Sequence, residues 1–216
     1  MSQFVFGLTG IRGAGKDTVA QILCDLYGFH RLAFADKLYK EVAGAFAVSP
    51  EFLGNRETKE SPLLELGLRN CADPEFQRVA TACGLGQEAN SPRAVLQVWG
   101  TEYRRKQDDR YWLKAVESEI ARNPNVRFVV TDCRYKNEAA TLFLLGGQML
   151  RVVRPAIIDA WASDARSAHP SERDLLDIPV NHTFINEEDD IGGLEDQVIR
   201  FMRGQINNRR YQPVAA

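Results

Sequence analysis

The sequence predicts an α/β fold, a parallel sheet of about five strands with helices on both faces, and three observations predict it. Short apolar runs of strand length alternate with longer segments whose apolar residues recur at helical spacing. Such alternation implies crossover connections and hence a parallel sheet. The first of these units places Gly10, Gly13 and Gly15 between its strand and its helix, at the sheet edge where ligands of such folds sit. The chain is 216 residues long, enough for one α/β domain with a full core and excursions from it.

Taken in order, Phe4-Val5-Phe6 and Leu8 form the first strand. Val19, Ile22, Leu23, Leu26 and Tyr27 then keep helical spacing until Gly28, the kind of residue that stands just past a helix end. Residues 29–35, FHRLAFA, read as the second strand. Asp36 is expected to cap the next helix, in which Leu38, Val42, Ala45 and Phe46 share a face. The polar stretch 49–61, punctuated by Pro50 and Gly54 and followed by Pro62, reads as a loop. Asp73-Pro74 and Ser91-Pro92 each pair a capping side chain with a first-turn proline, which predicts helices running to about Cys83 and Gln107. A further helix from about Asp109 carries the stripe Trp112, Val116, Ile120 and stops at Asn123-Pro124-Asn125. No strand signal interrupts residues 36–125, an all-helical insertion.

The alternation resumes with a third strand, 126–131, that ends in Asp132-Cys133-Arg134. A helix with Ala139, Leu142 and Leu145 follows, then a fourth strand, Gln148 to Val153. Residues 154–179 form a second, arginine-bearing insertion. Thr183 to Ile185 is a short fifth strand, the last helix packs Leu194, Val198, Phe201 and Met202, and the tail 207–216 reads as frayed. The sheet core is therefore residues 1–35, 126–153 and 180–204 of a single domain.

Composition narrows the function classes. Hydrophobic residues make up 44% and charged residues 26% of the chain, as in soluble globular proteins. No apolar run approaches the about 20 residues of a membrane span, and the chain enters its first strand with no room for a signal peptide, so a cytoplasmic protein is expected. Cys24, Cys71, Cys83 and Cys133 form no C-x-x-C pair, which suggests neither zinc nor a disulfide framework. A net charge of -2 gives no global pull toward nucleic acid or membrane. The partners expected are small molecules, and a homodimer is a compatible assembly.

Gly10-x-x-x-x-Gly15-Lys16, between a strand and a helix, fits a phosphate-binding P-loop. Glycines let backbone N–H groups turn around a phosphate, the helix N-terminus adds its positive dipole end, and lysine supplies a full charge. Gly10, Gly13, Ala14, Gly15, Lys16, Asp17 and Thr18 are thus expected to hold a nucleotide donor. The general pattern ends in Ser or Thr, where this chain has Asp17 and then Thr18. The rival dinucleotide pattern G-x-G-x-x-G fails, because Thr18 stands where its last glycine is required.

Phosphoryl transfer needs charge neutralisation, a bridging metal and an acceptor held in line. Asp132, at the end of an apolar strand, resembles a carboxylate that organises Mg²⁺, although strand-end aspartates are also common solvated loop residues. Arg154, Arg166 or Arg173 of the second insertion could reach the transferring group and exclude water from it. In the helical insertion, Arg93, Gln97, Thr101 and Arg105 recur every four residues while Val95, Trp99 and Tyr103 hold another face. Two cations, an amide and a hydroxyl on one stripe suit a phosphate and a base edge; the plain alternative is a solvated helix face.

GLTGIRGAGKDTVA, LAFADKLYK, SPRAVLQVWGTEYRR followed by Tyr111-Trp112-Leu113, VVTDCRYKNEA and HPSE, in that order, resemble the phage deoxynucleoside monophosphate kinases of the P-loop nucleoside monophosphate kinase group. The resemblance implies phosphorylation of deoxynucleoside 5′-monophosphates to diphosphates by direct in-line transfer from ATP with Mg²⁺. It also implies a core flanked by a helical monophosphate-binding insertion, 36–125, and a lid, 154–179. Asp17 is normal in this family. Carried over, Lys16, Asp17 and Thr18 serve donor phosphates and metal, with Asp17 and Asp132 as the metal carboxylates. Asp36, Lys37, Arg93, Gln97, Thr101, Glu102 and Arg105 serve the acceptor. Asp132 and Arg134 sit between donor and acceptor and join Lys16 and Arg154 as the catalytic set. His169, Ser171 and Glu172 belong to the lid, with Glu172 reaching the substrate, and Asn186 lies near the donor base. Two other readings remain open: a P-loop kinase for another small acceptor such as dephospho-coenzyme A, and a nucleotide-dependent switch or NTPase.

Overall fold

In the computed structural model the described residues are 4–158, 177–187 and 190–210. Two compact units emerge, Met1–Ala33 with Ile120–Ala216, and Phe34–Glu119. The first holds five strands: β1 Val5–Thr9, β2 Phe29–Leu32, β3 Arg127–Val130, β4 Gln148–Val153 and β5 His182–Ile185. They lie in the order β2-β3-β1-β4-β5, parallel throughout, with β1 at the centre and buried along its whole length. A parallel sheet whose central strand runs through a glycine loop into a helix is the P-loop NTPase fold.

Helices cover both faces, and β1 shows why. Successive strand residues point to opposite sides. Phe6 meets Phe201 of the last helix, α8 Ile191–Arg210, with ring centroids 5.5 Å apart. Its neighbour Gly7 faces α7 Lys136–Leu144 so closely that a Cβ there would stand 2.5 Å from Leu142 Cδ1. The aromatic core continues through Phe29, stacked on Phe6 at 5.1 Å, and His182, stacked on Phe201 at 4.8 Å. Burial lowers the pKa of that imidazole, because the charged form would lose its water.

The second unit is helical: α2 Ala35–Phe46, α3 Pro50–Gly54, α4 Pro74–Ala82, α5 Pro92–Gln97 and the start of α6 Tyr111–Arg122. Its core is a separate aromatic cluster in which Phe76 lies 4.4 Å from Trp99 and Trp99 5.3 Å from Tyr103. The structure corrects three local expectations. The second strand stops at Leu32, and α2 begins at Ala35 with Phe34 as its N-cap, so Asp36 stands inside the first turn, where its charge meets the helix dipole. Residues 49–61 are not all loop, because Ser49 accepts from Phe52 N at 3.1 Å and caps α3, with Pro50 in its first turn. The last helix runs on to Arg210, through residues read as frayed. Among the described residues no helix is long and apolar enough to cross a membrane.

The proline caps are not equal. Ser49 caps α3 through an exposed bond to Phe52 N. Asp73 caps α4 through Phe76 N at 2.9 Å and also accepts from the buried Tyr103 hydroxyl at 2.9 Å. Losing a cap costs about 1 kcal/mol, and stranding a buried hydroxyl adds about 1–2 kcal/mol. In urea unfolding, Asp73→Ala is expected to destabilise by about 2–3 kcal/mol and Ser49→Ala by about 1 kcal/mol. Equal losses would show that the Asp73–Tyr103 bond contributes nothing.

Candidate functional site

The glycine loop 10–15 connects β1 to α1 Lys16–Tyr27. Gly10 takes φ +142°, and a Cβ on it would stand 2.3 Å from the Val152 carbonyl oxygen of β4. Gly15, the N-cap of α1, takes φ +105°, and its Cβ would stand 2.5 Å from Asn186 Nδ2. Neither position has room for a side chain, and both backbone conformations favour glycine. Ala14 is fully buried between them, its N–H donating to Ile11 O at 3.2 Å. The Lys16 ammonium folds back on the loop, donating to Gly10 O at 2.7 Å and Ile11 O at 2.9 Å.

Above the loop opens a cavity of about 370 Å³ lined by Gly13, Gly15, Thr18, Arg154, Asn186, Glu187, Asp190 and Ile191, large enough for a small ligand. Asn186 follows β5, where its N–H donates to Val153 O at 2.7 Å and its Nδ2 to Ala14 O at 2.9 Å, which staples the strand end to the loop. Arg154 directly follows β4 and opens a tight turn in which Ile157 N donates to its carbonyl at 3.2 Å. Asp17 is exposed and does not line the cavity, whereas the half-buried Thr18 does. Glu187, Asp190 and Ile191 were missed from sequence. Asp190 did carry a signal, an acid three residues before Gly193 at a helix start, and its Oδ1 accepts from Gly193 N at 2.7 Å.

Beside β1, β3 delivers Asp132, half-buried, and Arg134, exposed, at its carboxyl end. Cys133 N donates to Leu8 O at 3.2 Å, which ties this segment to the central strand. The buried Glu138 carboxylate accepts from Arg134 N at 2.8 Å and Tyr135 N at 3.0 Å, closing the start of α7. Glu138 and Asp132 both raise the pKa of the Cys133 thiol, but burial is the larger cause.

In the helical unit, Arg93, Gln97, Thr101 and Arg105 are half-buried or exposed while Val95, Trp99 and Tyr103 are buried. The helix is not α throughout: residues Val98–Arg105 are π-wound. Arg93 Nε donates to Glu60 Oε1 at 2.5 Å, and Lys106 pairs with Glu102. Lys37 lies 3.9 Å above the Tyr111 ring centroid. Glu41 anchors this region, accepting from Tyr111 Oη at 2.6 Å, Trp99 Nε1 at 3.0 Å and Arg104 Nε at 3.0 Å. Burial alone would raise the Glu41 pKa; the Tyr111, Trp99 and Arg104 hydrogen bonds overcome it and hold the carboxyl below its ordinary value. Burial and the bond to Glu41 push the Tyr111 phenol up to about 12. Among the sequence-selected residues, Arg166, His169, Ser171, Glu172 and Arg173 lie outside the described residues.

No protein-family profile matches the chain. A protein of Acanthamoeba polyphaga mimivirus that carries the provisional name deoxynucleotide monophosphate kinase is 32% identical, over 81% of this chain and 83% of that protein. The deoxynucleoside-5′-monophosphate kinase of Escherichia phage T5 is 27% identical, over 90% of this chain and 94% of its own. Among solved structures, TT1252 from Thermus thermophilus superposes with a TM-score of 0.50 at 16% identity, over 94% of this chain and 98% of the other, a likeness of fold.

The Glu41 cluster makes a pH prediction. A carboxyl lowered in the folded state stabilises fully above its unfolded value, ordinarily 4.5. That contribution is lost as pH falls through the folded value. Glu41→Gln is expected to destabilise at neutral pH and to flatten the fall of unfolding free energy as pH drops below about 4.5. Identical acid limbs in variant and parent would remove Glu41 from that role.

Proposed function

The chain belongs to the deoxynucleotide monophosphate kinase family, and from that premise we propose that it moves the γ-phosphoryl group of ATP directly onto the 5′-phosphate of a deoxynucleoside monophosphate, giving the diphosphate. The observation that supports this most is the wound glycine loop, with Lys16 at the N-terminus of α1 beneath a cavity lined by Thr18, Arg154 and Asn186. Little covalent chemistry is asked of a protein in phosphoryl transfer. Positioning and charge stabilisation make the rate.

On this reading Lys16 exchanges the carbonyls of Gly10 and Ile11 for donor phosphate oxygens, and the N–H groups of Gly13 and of Gly15 to Thr18 complete the cradle. Asn186 spends its amide nitrogen on Ala14 O and presents its carbonyl oxygen to the donor base. Arg134 and Arg154 join Lys16 in neutralising the transferring group. Mg²⁺ needs one or two carboxylates, with substrate oxygens and water completing its shell; Asp132 and Asp17 would supply them, and the cavity-lining Thr18 hydroxyl would suit it too. Bound there, the ion neutralises charge on the donor phosphates. Arg93 and Arg105 hold the acceptor phosphate, Gln97 reads the base edge, and Thr101, Glu102, Asp36 and Lys37 complete the acceptor surface. The work is done in the cytoplasm, the host's if the chain is phage-encoded.

Coupled ADP-release assays with ATP, Mg²⁺ and a panel of deoxy- and ribonucleoside monophosphates test the reading. Deoxynucleoside monophosphates are expected to be accepted, and ATP hydrolysis with no transfer to any monophosphate would overturn it. Lys16→Ala is expected to lower turnover at least about 10²-fold, the scale of deleting one preorganised charge-stabilising group. For the metal, Asp17→Asn and Asp132→Asn are each expected to raise the Mg²⁺ concentration for half-maximal rate. Unchanged metal dependence in both would return these aspartates to structural roles.

A further inference from the structure

Tyr39 of α2 and Lys59 meet inside the helical unit. The Lys59 ammonium donates to Tyr39 Oη at 2.6 Å and stands 5.3 Å from the ring centroid, and both residues are half-buried. The segment that carries Lys59 is fastened at three points. Asn55 Oδ1 accepts from Glu57 N at 2.9 Å, Lys59 O from Arg93 N at 3.0 Å, and Asn90 O from Leu63 N at 3.0 Å. Arg93 is the second residue of α5, and the next amide, Ala94 N, donates to Ser91 Oγ at 3.2 Å. These two first-turn amides are thus satisfied by the chain itself. Their effect is to tie Lys59, through its own backbone, to the first cation of the polar stripe.

The charge of Lys59 is balanced differently from that of its neighbours. Arg69, Arg78, Arg93, Arg104 and Lys106 of the same unit each pair with a carboxylate. No carboxylate among the described residues pairs with Lys59, whose ammonium rests on a neutral hydroxyl. A charge drawn partly out of water loses hydration that one hydroxyl replaces only in part. An ammonium has three N–H donors, and Tyr39 takes one of them; because Oη accepts that bond, the phenolic hydrogen is itself left to donate. The pair therefore offers two N–H donors, an O–H donor and a full positive charge, and the chemical complement of that set is an oxyanion.

We propose that Lys59 is a phosphate-binding residue of the acceptor site, and that Tyr39 is the positioning residue that holds it there. The inference rests on the acceptor reading of Arg93 given above, since the backbone bond to Arg93 is what assigns Lys59 to that site. The two cations play different parts. Arg93 is bonded through Nε to Glu60, which fixes the plane of its guanidinium, whereas Lys59 is a point charge whose donors rotate to follow a phosphate. Tyr39 keeps the ammonium from swinging out into water, so less side-chain freedom is lost when the phosphate arrives.

Lys59→Met removes the charge and the donors and keeps a long side chain. In the intact chain, KM is measured for a deoxynucleoside monophosphate and for ATP, together with the inhibition constant of the matching deoxynucleoside, which has no phosphate. The monophosphate KM is expected to rise about 10- to 150-fold, the scale of one hydrogen bond to a charged group. The ATP KM and the deoxynucleoside constant should stay within about twofold. Tyr39→Phe keeps the ring and drops the hydroxyl, and it is expected to raise the monophosphate KM about 3- to 10-fold with the other two constants unmoved. An unmoved monophosphate KM in Lys59→Met overturns the inference. So does an equal weakening of monophosphate and deoxynucleoside, because a displaced loop costs both ligands alike. Should Lys59→Met not fold, Lys59→Gln decides by the same readouts. A parent enzyme that transfers to no monophosphate overturns the acceptor reading itself, whereas a parent that does, beside an unmoved Lys59 variant, overturns only the role of Lys59.

Discussion

No side chain fits at Gly10, and the winding of the glycine loop depends on that. The Val152 carbonyl of β4 comes within 2.3 Å of where a Cβ would be, and Asn186 comes within 2.5 Å of the same point on Gly15. Strands β4 and β5 thus press on the loop that leaves β1, and their order in the sheet, β1-β4-β5, is what brings them there. The loop backbone is thereby held in one winding by its neighbours. The same pressure explains Lys16, whose ammonium finds carbonyls of the loop within reach because the loop is tightly wound.

The chain's near-neutral charge conceals strong local organisation. In the helical unit several cations already have acidic partners: Arg93 with Glu60, Lys106 with Glu102 and Arg104 with Glu41. The exposed pairs contribute little stability. In the Arg93–Glu60 pair the bond runs through Nε, which fixes the plane of the guanidinium. Arg104 differs because it also lies 4.3 Å from the Tyr103 ring centroid, which makes it part of the packing. Arg104 is therefore an architectural residue of the helical unit.

Much of the fold was legible from local chemistry. The glycine loop, the apolar strands around it and the proline caps at Asp73 and Ser91 depend on residues a few positions apart, and near-neighbour sterics act identically in any fold. The Ser49-Pro50 cap carried the same signal but was outweighed by the polar stretch after it. Asp36 was read as a cap because it is a good capping residue, yet the helix starts earlier, at Ala35. The four-residue repeat from Arg93 to Arg105 was also visible, but it fits an ordinary helix face, and the π winding of Val98–Arg105 came only with the structure.

What the sequence determined by itself is the P-loop, the alternation of strands and helices and the polar stripe, since each is a periodicity or a steric requirement expressed within one or two turns. Tertiary structure decided which polar side chains from distant parts of the chain meet. Glu41 bonds residues 58, 63 and 70 positions away, and Asn186 reaches Ala14 across 172. Such pairings have no period and leave no local mark. They form because a buried carboxylate or amide must find hydrogen-bond partners wherever the folded chain brings them.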